Sequence, residues 1–417
     1  MDYRIDFEAR DLLYFGDGLL ADGSTAGSGV NWPLPSVINS ALIAAMHNGL
    51  EEDVNGTISK HEHLNDYEKK KQAKGISVRF SFGGVQTVGP FPVIDDKMFV
   101  PIPADIQAGK NGELAIMRVI ENKGFNNLPA PLTHLVAPSL PPSKETPGNW
   151  ISIDELQKYL NGDPKVEALD NSDFYAVERR VGIGINPETF STIKGKFYQA
   201  EYMRLNNNVA LRVYAKYIAS SYGGKNQKDM MAEAMNKNTF EDIALGGQAG
   251  VVFQKEMRHE VLQGEQRMQT TAFTTVKPTC LLKWILLTPA VFLSGWLPGF
   301  IDATNGKVHL KHDPPPKGSM PRDKWRELVR QTPEIDAKLV AARIPKHNVA
   351  SGWKLNGLNA GQPKPTRRLV PAGSVFYFKC ADDANAAALY NALNARSRSD
   401  ECGEQGFGFG VCGNWNI

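Results

Sequence analysis

Gly406-Phe-Gly-Phe-Gly-Val-Cys-Gly413 stands four residues from the end of the chain, directly after helical sequence, and its reading decides the fold. It has an earlier counterpart, Leu245-Gly-Gly-Gln-Ala-Gly-Val-Val-Phe253, which also follows helical sequence and runs into an apolar segment. Glycine weakens regular elements; in return it offers positive φ and a bare backbone that a ligand can approach. Two such loops predict one unit used twice: a helix, a glycine loop presented to a ligand, then a closing strand. A tight turn into a final strand is the other reading of either loop taken alone. The string Gly408-Phe-Gly-Val-Cys-Gly413 also spells G-x-G-x-x-G. The dinucleotide fold needs a helix and a strand after those glycines, and only Asn414 to Ile417 follow. That fold is excluded.

Outward from the loops, the pattern is β-α-β-β-α-β. Tyr3 to Phe7 alternates as a half-buried strand, and Val37 to Met46 carries a helical apolar period with Ser36 as a candidate N-cap. Short β segments fill Ile76 to Ile106, and Ser152-Ile-Asp-Glu155 opens a helix through Leu160 as a capping box. Val177–Ile185 and Gly195–Leu205 read as a projecting hairpin, Asn206-Asn-Asn208 as a turn, and Val209–Tyr217 as a third strand. Lys228–Leu245 is partly helical. Asp302–Thr332 reads as a linker or insertion with a helix at Arg322–Arg330; Ser374–Lys379 is a strand and Asp383–Ala395 a helix. This order predicts an α+β chain of two ferredoxin-like (RRM-like) domains, 1–264 with insertions and 269–417.

With 417 residues the chain has ample length for two or three cores, and 42% hydrophobic with 22% charged residues is ordinary globular composition. A net charge of +2 advertises no global field for nucleic acid, so any such signal is local. The first residues lack a basic stretch followed by an apolar run, and Cys280–Leu293 is too short and interrupted to span a membrane. The four cysteines have no C-x-x-C spacing, which weighs against zinc and points to the cytoplasm.

Acid–base or metal chemistry has no visible home. His61 and His63, like His309 and His312, sit in polar, charge-rich stretches; a metal pair and solvated loop residues are the competing readings. No H-E-x-x-H, P-loop or G-x-S-x-G motif is present. No metal, cofactor or catalytic set is expected. Basic residues say more. Lys338, Arg343, Lys346, Lys354, Lys364, Arg367 and Arg368 fall in a stretch without Asp or Glu, the footprint of phosphate contacts or of an acidic protein partner. The hairpin adds Arg179, Arg180, Lys194, Lys196 and Arg204, interleaved with Phe190, Phe197, Tyr198 and Tyr202, a pattern suited to single-stranded RNA.

Several segments together resemble a known family. They are Phe7–Gly18, Trp32-Pro-Leu-Pro-Ser36, Gly89-Pro-Phe91, Phe99–Asp105, Glu178–Ile183, Lys194-Gly-Lys-Phe-Tyr198, Ser351-Gly-Trp353 and Val370–Ser374. In this order they resemble the third subunit of the Cmr (type III-B) CRISPR effector complex, a RAMP-superfamily protein. The resemblance implies two ferredoxin-like RAMP domains with glycine-rich loops, no catalysis, and binding of the crRNA 5′ handle. It implies contacts with the large polymerase/cyclase-type subunit and a backbone RAMP subunit, and with target RNA indirectly. The glycine loops then map to Gly246, Gly247 and Gly250, and to Gly406, Gly408 and Gly410; the RNA-holding thumb maps to Arg179–Tyr198. Extra sequence at 51–75, 107–148 and 305–332 departs from the pattern. A metal-independent RAMP endoribonuclease with His47 as its acid–base group, and a scaffold without RNA contact, are the competing expectations.

Overall fold

The computed structural model describes residues 3–16, 32–50, 84–122, 124, 127–163, 166–218, 229–247, 250–259, 276–313, 320–354 and 362–416. Eight framework strands build two sheets. β1 (Tyr3–Ala9), β2 (Val85–Ile94), β3 (Val209–Tyr217) and β4 (Val251–His259) pair antiparallel in the order β4-β1-β3-β2. β5 (Leu281–Leu286), β6 (Ala337–Arg343), β7 (Val375–Cys380) and β8 (Phe409–Asn414) pair antiparallel as β8-β5-β7-β6. The two orders are the same, and both are the ferredoxin-like order. The fold is α+β with a duplicated ferredoxin-like unit, as the order of elements in the sequence predicts.

Helices α1 (Pro35–Leu50) and α3 (Met230–Asn236) cover the first sheet; α2 (Ile153–Leu160) belongs to the excursion between β2 and β3. In the second unit, α4 (Arg322–Gln331) precedes β6 and α5 (Asp383–Leu393) precedes β8. Ile38, Leu42 and Met46, one turn apart, are fully buried against Ile5, Phe7, Leu211 and Val213. α1 begins at Pro35, one residue before the expected cap at Ser36, with proline at the first helical position where a missing N–H costs nothing. α2 starts at Ser152, whose Oγ accepts from the Glu155 amide at 3.3 Å. The capping box is only half made, because the Glu155 carboxylate accepts from Lys158 and from the Glu167 amide. The helical part of 228–245 is α3, and Asp242–Ala244 pairs with β4 as a short edge strand. Residues 302–311 are no loose linker: Lys307 and Lys311 bridge to Lys338 and Glu334. α4, in contrast, buries none of its residues.

Each sheet packs one face on its own helices. Trp284, Phe376, Phe378, Leu389 and Leu393 form that core in the second unit. The opposite faces share a third core, into which α2 also packs; there Val88, Phe91, Ala210 and Tyr214 from the first sheet join Ile285, Val375, Tyr377 and Val411 from the second. Strands buried on both faces read as near-continuous apolar runs, as in Val375-Phe-Tyr-Phe378.

At the centre of this shared core is a polar cluster. Asp105, fully buried, accepts from Tyr159 Oη at 2.7 Å and from Tyr377 Oη at 2.7 Å. Lys283 Nζ lies 3.7 Å from the same carboxylate and 3.5 Å from the centre of the Tyr159 ring. Burial pushes the Lys283 ammonium down to about 8, against the pull of Asp105. Burial first, then the Asp105 charge, holds both tyrosine hydroxyls well above their ordinary range. The other half of the first sheet's face toward this core carries a charged network. Arg212 grips Asp6 through two hydrogen bonds of 2.8 Å and also reaches Asp96, while Arg4 holds Glu256 at 2.7 Å.

Candidate nucleic-acid interface

A ribbon of Tyr175–Ile185 paired with Thr192–Leu205 leaves the first unit between β2 and β3 and joins neither main sheet. Side chains alternate along it, so Val181, Ile183 and Ile185 share one face. They are 62%, 51% and 56% exposed, and Phe190 at the tip is 84% exposed. Covering such a side chain contributes about 1.5–3 kcal/mol, so this face is built for an apolar or aromatic partner rather than for water.

The arm's arginines are not free charges. Arg179 Nε binds Glu201 at 2.8 Å directly across the ribbon. Arg180 and Arg204 both hold Glu178 at 2.8 Å, and Arg204 reaches Asp11 at 3.0 Å. These two guanidinium groups, Arg204 first, keep the Glu178 carboxyl below its ordinary range. Lys194 and Lys196 lie on the arm's second strand; their side chains are outside those described.

At the base of the arm, the chain after β1 threads between the ribbon and the first glycine loop. Leu13 bridges to Met203 and Tyr14 to Gly247, and the Gly247 amide donates to the Tyr14 carbonyl at 2.9 Å. The Tyr14 and Tyr202 rings meet at 5.5 Å, and the Arg180 guanidinium stands 5.4 Å from the Tyr202 ring centre. Gly246 and Gly247 are exposed beside them, whereas Gly250 is buried. Half-buried aromatic rings, a cation and bare backbone therefore meet on one surface, the combination that stacks bases and contacts a backbone. The sequence reading missed Tyr14; its place in the opening Phe7–Gly18 segment was the available signal.

The second glycine loop corrects the expectation of backbone offered to a ligand. Gly406, Gly408 and Gly410 are all buried. Their neighbourhood is closed by internal bonds: the Gly406 amide donates to Gly403, the Gly408 amide to Pro289, and the Phe409 amide to Thr288 Oγ1. A Cβ on Gly406 would sit 2.6 Å from the Thr87 carbonyl oxygen in β2, so this glycine exists for close packing between the two units. In the basic tract, Arg343 donates to the Ala104 carbonyl at 3.4 Å, and Arg367 pairs with Glu401 at 2.7 Å. Lys346 and Arg368 are exposed without a carboxylate partner among the described residues, and the Lys354 side chain is outside those described. The tract is thus distributed: Lys338 and Arg343 lie in β6, with Arg343 at the junction of the units, Lys346 follows that strand, and Arg367 and Arg368 lie in a short strand, Arg367–Leu369, paired with Asn348–Ala350.

Among the described histidines, His309 contacts Asp302 and Glu334, and His312 contacts Asn385. His61 and His63 lie outside the described residues, as does the His47 side chain. Among the described residues no cluster of three metal-ligating side chains occurs, and no helix is long and apolar enough to cross a membrane. All four cysteines are free thiols.

Among solved structures, the chain is similar to one in the type III-B Cmr-beta complex bound to cognate target RNA and AMPPnP. The identity is 12%, the TM-score 0.43, and 90% of this chain and 86% of that chain are covered. It is also similar to a chain of the Csm3–Csm4 subcomplex of the type III-A CRISPR-Cas interference complex, with 11% identity, TM-score 0.35 and coverage of 92% and 96%. No curated protein sequence matches it. The profile of the family described as CRISPR-associated protein (Cas_Cmr3) matches residues 5–415, nearly the whole chain. With both ferredoxin-like units inside that match, the chain belongs to the Cas_Cmr3 family, the RAMP proteins that form the third subunit of Cmr complexes.

Proposed function

We propose that this chain is the RNA-binding, non-catalytic subunit that caps the crRNA 5′ handle in a type III-B effector complex. In this reading it joins the large polymerase/cyclase-type subunit to the backbone subunits, with its two domains spanning 1–264 and 269–417. Family membership supports the setting, and one observation carries the assignment to RNA: the arm over 175–205 exposes Val181, Ile183, Ile185 and Phe190 above a base of Tyr14, Tyr202, Arg180 and Gly247. Splayed bases stack on such rings, and apolar side chains wedge between bases. Gly246 and Gly247 stand where a phosphate can approach the backbone, while the second loop acts as a packing element. Arg179, Arg180 and Arg204 order the arm through its carboxylates, and Lys194 and Lys196 supply charge on its second strand.

The test is to purify the chain with its co-expressed neighbours and sequence the RNA that comes with it. Uniform 5′ ends carrying a repeat-derived handle, lost in Tyr14→Ala with Arg180→Ala, are the expected result. Absence of small RNA overturns the assignment.

A further inference from the structure

The duplication extends beyond the sheets. Between β6 and β7, the position at which the first arm leaves its own unit, the chain forms a second ribbon. Asn348–Ala350 pairs with Arg367–Leu369, and Trp353–Lys354 with Gln362–Pro363. The Lys364 amide donates to the Gly352 carbonyl at 2.7 Å and joins the two pairs into one ladder. The base is also repeated. In the first unit the segment after β1 lies between arm and glycine loop, through Leu13–Met203 and Tyr14–Gly247. In the second, the segment after β5 does the same: Ala290 bridges to Val370, and the Gly408 amide donates to the Pro289 carbonyl. Leu369 and Phe407 are buried together beneath the ribbon.

The charge of the two arms differs. Residues 175–205 hold five Lys and Arg against three Glu, and the three arginines are each held by a carboxylate. Residues 348–369 hold four Lys and Arg and no Asp or Glu. Lys364 and Arg368, with Lys346 just before the ribbon, are exposed and have no carboxylate partner among the described residues, whereas Arg367 is paired with Glu401. A cation whose charge is already balanced releases few counterions on binding a phosphate, whereas an unbalanced one releases its full share.

We propose that the ribbon formed by residues 348–354 and 362–369 is a second RNA arm, and that the two arms divide the work. The first arm meets bases with its apolar face; the second, with Lys346 at its root, meets the sugar–phosphate backbone of the same strand. The inference rests on the RNA-binding reading above and adds which surface sets the electrostatics.

The experiment is fluorescence anisotropy of a labelled 20-nucleotide oligouridine with the full-length chain, across a salt series. Each lost phosphate contact shallows the slope of log K against log salt by about 0.7 for single strands. Lys346→Gln/Lys364→Gln/Arg368→Gln is expected to shallow it by about 2 units, so the variant loses roughly 20-fold less affinity than wild type between 50 and 200 mM salt. Ile183→Ser/Ile185→Ser is expected to weaken binding at every salt concentration with the slope unchanged. Unfolding curves of both variants, matching wild type, confirm that surfaces alone were changed. If wild type binds and the triple variant keeps its slope, the second arm is not a phosphate grip, and its charge serves an acidic protein surface. If wild type does not bind oligouridine, the RNA-binding reading falls and the second arm with it.

Discussion

Gly406→Ala tests whether the second glycine loop serves packing or a ligand. Gly406 has φ 97° and ψ 8°, a conformation that a side chain occupies at a cost of about 1–3 kcal/mol. Its new Cβ would stand 2.6 Å from the Thr87 carbonyl oxygen and 3.2 Å from Val88 Cα, both backbone atoms of a buried strand that cannot swing aside. Overpacking of this kind adds about 1–3 kcal/mol. The sum, about 2–6 kcal/mol, corresponds to a fall in melting temperature of roughly 4–12 °C, read by thermal unfolding and by urea titration. Gly403→Ala is the control within the same loop: a Cβ there meets only ordinary contacts, at 3.8 Å from Ser397, and stability should hold within about 1 kcal/mol. If Gly406→Ala unfolds like wild type but loses RNA, the packing argument is wrong and the loop faces a ligand.

Three further outcomes follow from the buried charges and the base of the arm. The Lys283 pKa lies below its unfolded value, so between about pH 8 and pH 10 the unfolded chain binds the extra proton and stability rises with pH. Above about pH 10 the raised pKa values of Tyr159 and Tyr377 act in the opposite sense and stability falls; a urea midpoint that peaks in this window, with the rise absent in Lys283→Met, is expected. Asp6→Ala leaves the buried Arg212 short of its main carboxylate and should cost about 3–5 kcal/mol by urea denaturation, whereas a loss under 1 kcal/mol would mean that Asp96 suffices. Tyr202→Leu keeps the bulk at the base of the arm and removes the ring beneath Arg180; RNA affinity should drop by about 1–3 kcal/mol with the melting temperature unchanged.

The framework was legible because it is written locally. Alternation marks β1, a period of four marks α1, and Asp382 caps α5 by accepting from the Asn385 amide at 2.8 Å. The repeated helix–glycine–strand order carried the duplication. What stayed hidden depends on pairing across long stretches of chain. Glu178 and Glu201 were in plain view, but only the ribbon register shows that they neutralise Arg179, Arg180 and Arg204. Nothing in the local sequence of Asp105 or Lys283 announces a core shared by two sheets. The glycines of the second loop misled for the same reason: a bare backbone admits a neighbouring strand as readily as a ligand, and Thr87 lies more than three hundred residues upstream. The polar, unremarkable sequence over 348–369 gave no hairpin signal, since its strands are two or three residues long.

Both arms leave the framework at the same kind of place, the connection between the second and third strands of a ferredoxin-like unit. The sheets on either side keep their register through β1–β4 and β5–β8, so neither depends on how long an arm is. Lengthening a surface excursion costs only a logarithmic increment of chain entropy, about 0.6 kcal/mol for each doubling. Such a scaffold behaves as two sockets with exchangeable tools: reach, charge and tip chemistry can be retuned by grafting, one arm at a time, while the platform stays as it is.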